Sequence, residues 1–463
     1  MGLRSLGLSD AVAPGEESEA VRVQGDGGTT QSTSDTCTFP QAPERSPVRR
    51  RRSRAYVFWR PGRRDSAHAR RLPQGGPSPY LIKSHQFRRH TGAGNESKKG
   101  CATAMCTRVV WADANGSVIV GRNMDFHMDL FSNLWKYPRG IDRADGVNGN
   151  LTWRSKYGSI VATAFDLIAT DGMNEEGFAG HILWLAESNY GKPAASATQL
   201  SQAVWLQYYL DNFSTVAEAV KWTNESQVAI SQLFDPTGHL VPTLHLAIND
   251  ATGDSAIIEY TDGKPQVYHS RDYKVMTNSP TYDKQLDLVK VYEGLGGDRP
   301  LPGSTLASDR FARALYYVEH QVQPKTQVDA MAAMFSIIRN AAQPFRTPEP
   351  GKPDASQTIW QVVLDLTNKR YAFESTTRPG MVWVDFHDMS FNEGSKILRL
   401  DLVSRLALEG GLAGNVSHKF SDVGELATET LATGVKALEF VAKKQDEFEV
   451  IKKKVQSLVG TKK

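Results

Sequence analysis

Apolar and polar residues begin to alternate clearly at residue 105, and the pattern predicts two β-strands joined by a tight turn. The stretch MCTRVVWADANGSVIVGRNMDF (105–126) alternates like two strands around Asn115-Gly116. An Asn-Gly pair between two such runs is a strong short-range indication of a hairpin, because both residues tolerate positive φ angles. We therefore expect the ordered part of the chain to begin with a β-hairpin.

Strand and helix patterns then follow in blocks. Further strands are predicted at residues 158–166, 243–250, 254–263, 264–270, 358–367, 369–376 and 381–386. Helical periodicity predicts helices at residues 199–213, 214–225, 308–322 and 327–342. Turn sequences between the strands at 243–270 favour a meander. Strand and helix blocks in this order suit an α+β fold, with antiparallel sheets covered by helices, better than a doubly wound parallel fold.

The two ends of the chain differ from this body. Residues 1–105 are rich in Gly, Ser, Thr, Pro and Arg and lack sustained periodicity, a composition typical of disorder. Eleven arginines between Arg45 and Arg71 could contact phosphates or an anionic membrane, although a solvated basic tail is the simpler interpretation. Residues 404–463 read as a linker and an amphipathic helical tail. The domain assignment is therefore a leader at 1–105, a body at 106–403 and a tail at 404–463.

Composition and charge exclude several classes of protein. The 463 residues include 40% hydrophobic residues and three cysteines, too few and too badly spaced for a disulfide framework or a zinc site. No run approaches the roughly 18 apolar residues of a membrane helix. Residues 1–105 hold 18 Lys and Arg against nine Asp and Glu, which leaves 36 against 42 in the rest. The mildly acidic body is not expected to bind nucleic acid, and no metal or cofactor is expected. We expect a cytoplasmic protein, with a periplasmic or secreted location left open.

Four stretches recur in an order that matches a known family. These are MCTRVVWADANGSVIVGRNMDF (105–126), DGMNEEGFAGHILWL (171–185), VMTNSPTYDKQL (275–286) and SDRFARA (308–314), with a likeness that continues to Val403. In this order and spacing they resemble the choloylglycine hydrolase and penicillin V acylase family of N-terminal nucleophile hydrolases. The resemblance implies a four-layer αββα sandwich and hydrolysis of linear, non-peptide amides. It also implies a homo-oligomer, commonly a tetramer.

Cys106 is the expected nucleophile, and its chemistry requires a base. A free thiol with a pKa of about 8.5 is mostly protonated at neutral pH, whereas the thiolate is the attacking species. The α-amino group of an N-terminal cysteine, with a pKa of about 7.7–8.0, can take that proton. An internal cysteine has only an amide at this place. We therefore expect every residue before Cys106 to be absent from the active enzyme, either through translation from Met105 or through cleavage of a precursor.

Four more residues match the active-site positions of the family. Arg122 would favour the thiolate through its positive charge, and Asp125 would hold and orient the amine of Cys106. Asn278 matches the asparagine whose side-chain N–H faces the developing oxyanion. Arg310 would act near the nucleophile through structure and charge. Without the resemblance, a strand-end ion pair, a turn asparagine and an exposed helical arginine would explain the same residues.

The acyl pocket is predicted with less detail. Alignment on GFAGHILWL places Trp184 where bile salt hydrolases have asparagine and many penicillin acylases have tyrosine. Its backbone N–H would be the second oxyanion donor, and its ring favours flat or apolar acyl groups such as phenoxyacetyl or a fatty acyl chain. A loop after Asp125 is expected to line the pocket, although its members could equally be core: Phe126, Met128, Phe131 and Trp135.

The sequence thus predicts a cysteine amidohydrolase for a small-molecule amide. Penicillin V-type substrates fit best, followed by conjugated bile salts, with N-acyl homoserine lactones and other lipid amides left open. Two other hypotheses stand beside this one. One is a non-catalytic binding protein on the same fold, and the other is a cysteine hydrolase that uses a distant His-Asp pair.

Overall fold

The computed structural model describes residues 105–423 except 146–148, 167, 195, 234–241, 348–355, 379 and 404–410. The predicted disorder of residues 1–104 and the predicted helical tail beyond residue 423 lie outside these residues. Within these limits the chain forms five α-helices and twenty strands. The helices are α1 (Trp205–Asn212), α2 (Val216–Glu225), α3 (Tyr282–Val289), α4 (Ala307–Glu319) and α5 (Gln327–Asn340).

The first half of the described chain is dominated by strands. They are β1 (Met105–Ala114), β2 (Ser117–Phe126), β3 (Leu134–Tyr137), β4 (Asp142–Ala144), β5 (Thr152–Arg154), β6 (Ser159–Ala164), β7 (Ile168–Asn174), β8 (Ala179–Trp184), β9 (Gln199–Ser201) and β10 (Ala229–Ser231). The later strands are β11 (Leu244–Asn249), β12 (Ser255–Thr261), β13 (Lys264–His269), β14 (Val275–Met276), β15 (Gln357–Asp365), β16 (Arg370–Ser375), β17 (Met381–Asp385), β18 (Leu398–Leu400), β19 (Gly414–Asn415) and β20 (Ser421–Asp422).

The predicted hairpin at the start of the body is confirmed. β1 and β2 pair antiparallel, and the turn between them has positive φ angles at Asn115 (55°) and Gly116 (82°). Cys106 pairs with Met124 in this register. The hairpin therefore brings the end of β2, with its charged residues, back beside the first residues of β1.

Two large sheets carry the fold. The seven-stranded sheet has the order β14-β1-β2-β15-β16-β17-β19, and the nine-stranded sheet has the order β13-β12-β11-β8-β7-β6-β3-β18-β20. The predicted meander appears as the consecutive antiparallel strands β11, β12 and β13. β19 pairs with β17 and β20 pairs with β18, so both sheets include residues beyond Val403, the predicted end of the body.

The sheets face each other, and a helix layer covers each outer face. Arg108 on β1 donates to Ser255 on β12, which links the two inner faces. One hydrophobic core includes Cys106 and combines residues of both sheets with residues of α4 and α5. A second core packs the nine-stranded sheet against α1 and α2. These layers confirm the predicted αββα arrangement.

One element differs from the sequence prediction, and two others form where no secondary structure was predicted. The helix expected at 199–213 begins only at Trp205, because Gln199–Ser201 pairs with β10 in a small parallel ladder. The motif at 171–185 is a hairpin of β7 and β8, with Gly177 at φ +83° in its turn. Residues 282–289, which begin within the motif at 275–286, form α3. Pairing with distant strands, which periodicity does not report, decides the first of these.

No described helix is both long and apolar enough to cross a membrane. No cluster of three or more His, Cys, Asp and Glu side chains in the described ranges is placed to hold a metal ion.

Candidate active site

Cys106 lies near the start of β1, with only 2% of its surface exposed. Its Sγ atom is 3.7 Å from Nη2 of Arg122 and 3.8 Å from Sδ of Met124, both on the neighbouring strand β2. Cys106 and Arg122 are close because the hairpin register sets Arg122 opposite Arg108, two residues along β1 from the cysteine. The thiol therefore faces a guanidinium group inside the protein.

Arg122 is fully buried and its Nη2 atom is shared. Besides the sulfur of Cys106, Nη2 contacts Sδ of Met124 at 3.6 Å and donates to the carbonyl oxygen of Ile182 on β8 at 2.9 Å. Its guanidinium carbon lies 4.8 Å from the centre of the Trp360 ring. These contacts, from both sheets, hold a permanent positive charge beside the nucleophile.

The surroundings set the ionisation of Cys106. Burial raises the pKa of the thiol, and the positive charge of Arg122 is the largest opposing effect. The charge of Asp125 raises the pKa further, whereas a backbone hydrogen bond from Asp125 and the charge of Arg310 lower it. Because burial outweighs the arginines, the pKa of the thiol lies above its ordinary value, and the thiol needs a base to become a nucleophile.

The nitrogen of Cys106 donates to Oδ1 of Asn278 at 2.7 Å. Asn278 follows β14 and is buried, and its Nδ2 donates to the carbonyl oxygen of Trp184 at 2.7 Å. From the sequence, Asn278 was expected only to donate a side-chain N–H to the oxyanion. The structure adds an acceptor that holds the cysteine nitrogen, while a side-chain amide keeps a second N–H. One residue thus contacts both the nitrogen of Cys106 and the end of β8.

Arg310, in the first turn of α4, joins three parts of this cluster. Its Nη1 donates to the carbonyl oxygen of Cys106 and to Oγ1 of Thr107, both at 2.6 Å, and its Nη2 donates to Oδ1 of Asn278 at 2.8 Å. It is fully buried, and burial lowers its pKa from the ordinary value, with the charge of Asp125 opposing. The predicted place of Arg310 beside the nucleophile agrees with these contacts.

Asp125 differs from its predicted contacts. Its carboxylate accepts from Oγ1 of Thr358 at 2.6 Å and from Nε2 of Gln343 at 2.9 Å, and it lies 3.6 Å from Nη1 of Arg310. The cysteine nitrogen, which Asp125 was expected to hold, donates to Asn278 in this chain, where Met105 precedes Cys106. Burial raises the pKa of Asp125, with Arg310 the largest opposing charge.

Sequence reasoning missed the residues that support this cluster. Thr358 and Gln343 hold Asp125, and Gln285 donates to the carbonyl oxygen of Asn278 at 3.1 Å. Their partners lie 7 to 233 positions away along the chain. In the sequence, a polar residue within an otherwise apolar strand indicates a supporting residue of this kind. Thr358 in β15 is an example.

A second polar cluster, also missed, meets Arg122. Nη1 of Arg122 lies 3.6 Å from Oδ2 of Asp171 on β7. His181 on β8 and Tyr371 on β16 both form hydrogen bonds with this carboxylate. All three are buried.

The predicted pocket residues divide into two groups. Phe126, Met128, Phe131 and Trp184 are half-buried around the ends of β2 and β8. Trp135 is not in a loop: it lies on β3 in the second core, stacked near Tyr137, and its Nε1 donates to Asp166. For Trp135 the alternative of core packing therefore holds.

Comparisons with known proteins agree with this geometry. Residues 106–398 match the family model described as linear amide C–N hydrolases, choloylglycine hydrolase family. The chain is 42% identical over 321 residues to a penicillin V acylase from Pectobacterium atrosepticum, covering 64% of this chain and 85% of that protein. It is 29% identical over 273 residues to a bile salt hydrolase/transferase from Clostridium perfringens, covering 51% and 79%. A solved structure of penicillin V acylase from Agrobacterium tumefaciens superposes with a TM-score of 0.63 at 40% identity, covering 69% of this chain and 98% of that one.

Proposed function

The chain belongs to the choloylglycine hydrolase family of linear amide C–N hydrolases, and on this premise we propose that it is a penicillin V acylase-like enzyme with Cys106 as its N-terminal nucleophile. The family defines the reaction as hydrolysis of carbon–nitrogen bonds, other than peptide bonds, in linear amides. The substrate and the roles of individual residues are the parts that we propose.

The proposal rests mainly on one observation, the contacts that surround Cys106. The nitrogen of Cys106 is 2.7 Å from Asn278, and its sulfur is 3.7 Å from Arg122. Once the bond to residue 105 is absent, the same nitrogen is a primary amine beside its own sulfur, within a site that otherwise raises the pKa of the thiol. The amine then supplies the base that the buried thiol lacks.

The first half of the reaction forms a thioester. The thiol proton moves to the α-amine of Cys106 as Sγ attacks the carbonyl carbon of the amide. The second N–H of Asn278 and a backbone N–H near Trp184 stabilise the oxyanion. The tetrahedral intermediate collapses when the C–N bond breaks and the α-ammonium gives its proton to the leaving amine.

Water completes the cycle. The α-amine takes a proton from the attacking water, and the resulting second tetrahedral intermediate expels the Cys106 thiolate, which is then protonated. The carboxylic acid leaves and the enzyme is regenerated. In this scheme Arg122 and Arg310 stay charged throughout and lower the cost of a buried thiolate.

Two arguments favour a phenoxyacetyl substrate. The 42% identical relative is named as a penicillin V acylase, as is the solved structure at 40% identity. Trp184 lies half-buried at the end of β8, where its carbonyl oxygen contacts Asn278. An aromatic side chain at this place favours a flat acyl group over a steroid. Conjugated bile salts are the second candidate, because relatives of lower identity carry that activity in their names.

The contacts of the buried histidines argue against a thiol activated by a His-Asp pair. Nδ1 of His181 contacts Asp171, and its Nε2 has no hydrogen-bond partner among the described residues. Both nitrogens of His245 are engaged, one by Glu259 and one by the carbonyl oxygen of Thr277. The sulfur of Cys106 instead contacts Met124 and Arg122, so neither histidine is hydrogen-bonded to the thiol within the described part of the chain.

Parallel hydrolysis assays test the proposal. The hydrolysis of phenoxymethylpenicillin, glycocholate and a long-chain acyl homoserine lactone is measured for the wild-type enzyme and for Cys106→Ala. We expect the penicillin to give the highest kcat/KM and Cys106→Ala to abolish release of the acid. Full activity of Cys106→Ala would refute the nucleophile, and preferred turnover of glycocholate would refute the substrate.

A further inference from the structure

Arg122 is close to a carboxylate that two neutral side chains hold in place. Nδ1 of His181 is 2.6 Å from Oδ2 of Asp171, and the hydroxyl of Tyr371 donates to Oδ1 at 2.6 Å. Asp171, His181 and Tyr371, which we call the Asp171 network, come from β7, β8 and β16 and are fully buried. The network therefore spans both sheets at the level of the nucleophile.

The distances show how the network affects the guanidinium. Nη1 of Arg122 is 3.6 Å from Oδ2 of Asp171, close enough for charge attraction but too long for a hydrogen bond. Each carboxylate oxygen already has a shorter bond to His181 or Tyr371. Nη2 of Arg122 is left to contact Ile182 and the sulfur of Cys106.

We propose that His181 and Tyr371 are positioning residues that act through Asp171 to keep Arg122 against the sulfur of Cys106. The inference rests on the proposed function, since it explains how the nucleophile of that function is tuned. Without one of the two donors, the ionised carboxylate turns toward Arg122 and forms a direct ion pair. Arg122 then withdraws from the sulfur, and the thiolate loses stabilisation.

Burial shifts the pKa of both neutral donors, His181 and Tyr371. Burial lowers the pKa of His181, although Asp171 opposes this, and burial with the charge of Asp171 raises the pKa of Tyr371 well above its ordinary value. Both side chains therefore stay neutral donors. The charged or titratable groups that act on this region are Arg108 (β1), Cys106 (β1), Arg122 and Asp125 (β2), Asp171 (β7), His181 (β8), Arg310 (α4) and Tyr371 (β16).

Alkylation of the thiol gives a readout that does not depend on turnover. In the full-length chain with Cys37→Ser and Cys101→Ser, the rate of reaction with iodoacetamide is measured against pH, and peptide mass mapping identifies Cys106. For Tyr371→Phe we expect the midpoint to rise by about half to one pH unit, equal to a roughly three- to tenfold slower reaction below the midpoint. Because wild type that fails to cleave amides can still be alkylated, failure of the proposed function is distinguishable from failure of this inference.

A matched variant controls for loss of a buried hydroxyl. Tyr209 on α1 is also fully buried, and its hydroxyl is 2.6 Å from Oγ1 of Thr223 in the second core. Tyr209→Phe should leave the alkylation midpoint unchanged. His181→Gln, which keeps an N–H donor, should shift the midpoint less than His181→Leu.

A double-mutant comparison separates positioning from general destabilisation. If the network acts through Arg122, Tyr371→Phe causes no further shift in an Arg122→Gln background. Arg122→Lys serves the same purpose if the glutamine variant does not fold. An unchanged midpoint in folded Tyr371→Phe, or an equal shift with and without Arg122, would overturn the proposal.

Discussion

At the scale of single residues, the site is a balance of buried charges around one sulfur. Arg122 lies 3.6 Å from Asp171, and Arg310 lies 3.6 Å from Asp125. Two guanidinium groups thus face two carboxyl groups in a region closed to water. Buried charges are costly unless they are paired and hydrogen-bonded. In the proposed mechanism the cysteine thiolate adds one negative charge to this set, and the ammonium group of an N-terminal Cys106 offsets it.

Asn278 gives the first prediction at this scale. Removal of an oxyanion donor typically lowers kcat by about 10²- to 10³-fold. We expect Asn278→Ala to show this loss in steady-state kinetics, with a small change in KM. Asn278→Asp should be equally slow, since aspartate keeps the acceptor for the cysteine nitrogen but lacks the N–H.

The control for Asn278 is Asn212→Ala. Asn212 donates to a helix carbonyl oxygen of α1 at 2.9 Å, in the other helix layer, so its loss should leave kcat unchanged. An Asn278→Asp enzyme with the activity of wild type would show that the donor has no role in the transition state.

The structure brings together the five residues that the sequence proposed for the site, but the sequence did not indicate their partners. Cys106, Arg122 and Asp125 are close in sequence and belong to one hairpin, so a short motif reports them together. Asp171 and Tyr371 are 200 positions apart and meet only because the two sheets pack face to face. That packing depends on the whole fold, which a local motif does not contain.

At the scale of elements, the site depends on how closely α5 packs on β2. At Gly121, directly before Arg122, a Cβ atom would lie 2.7 Å from side-chain atoms of both Ile338 and Met334 on α5. Real contacts of this kind are essentially never seen below 3.0 Å, so the side chains of Ile338 and Met334, or the two elements themselves, must shift. Asn123 on the same strand donates to the carbonyl oxygen of Ile338 at 2.7 Å, which fixes the position of the helix.

A glycine substitution tests this packing. We expect Gly121→Ala to lower the free energy of unfolding by about 1–3 kcal/mol through overpacking, as measured by urea denaturation. Gly303→Ala is the matched control, because a Cβ atom there meets nothing within 4 Å. Equal stability of the two variants would contradict the close packing of α5 on β2.

Local patterns predicted elements well where the determining interactions are themselves local. The Asn115-Gly116 turn and α5 agree with their sequence patterns, since turn chemistry and helical periodicity lie within each segment. Residues 199–204 read as helix but do not form one, because Gln199–Ser201 pairs with a strand about thirty residues later. The sequence of a segment does not show whether a strand elsewhere in the chain will pair with it.

At the scale of the whole molecule, both sheets and the hydrophobic core between them contribute to the surroundings of the start of β1. The hairpin brings Arg122, the strand before α3 brings Asn278, and α4 brings Arg310, over 204 positions of sequence. The nitrogen of Cys106 is held by Asn278, and its sulfur contacts Arg122. The proposed mechanism requires both atoms of this residue to be held in place.

The N-terminal residue of a catalytically active preparation tests this most directly. Mass spectrometry of its first proteolytic peptide, taken alongside the specific activity of the same sample, identifies the state of the Cys106 nitrogen. We predict that amide hydrolysis is proportional to the fraction of chains that begin with an unblocked Cys106. Full activity in chains whose Cys106 is still bonded to Met105 would contradict the mechanism.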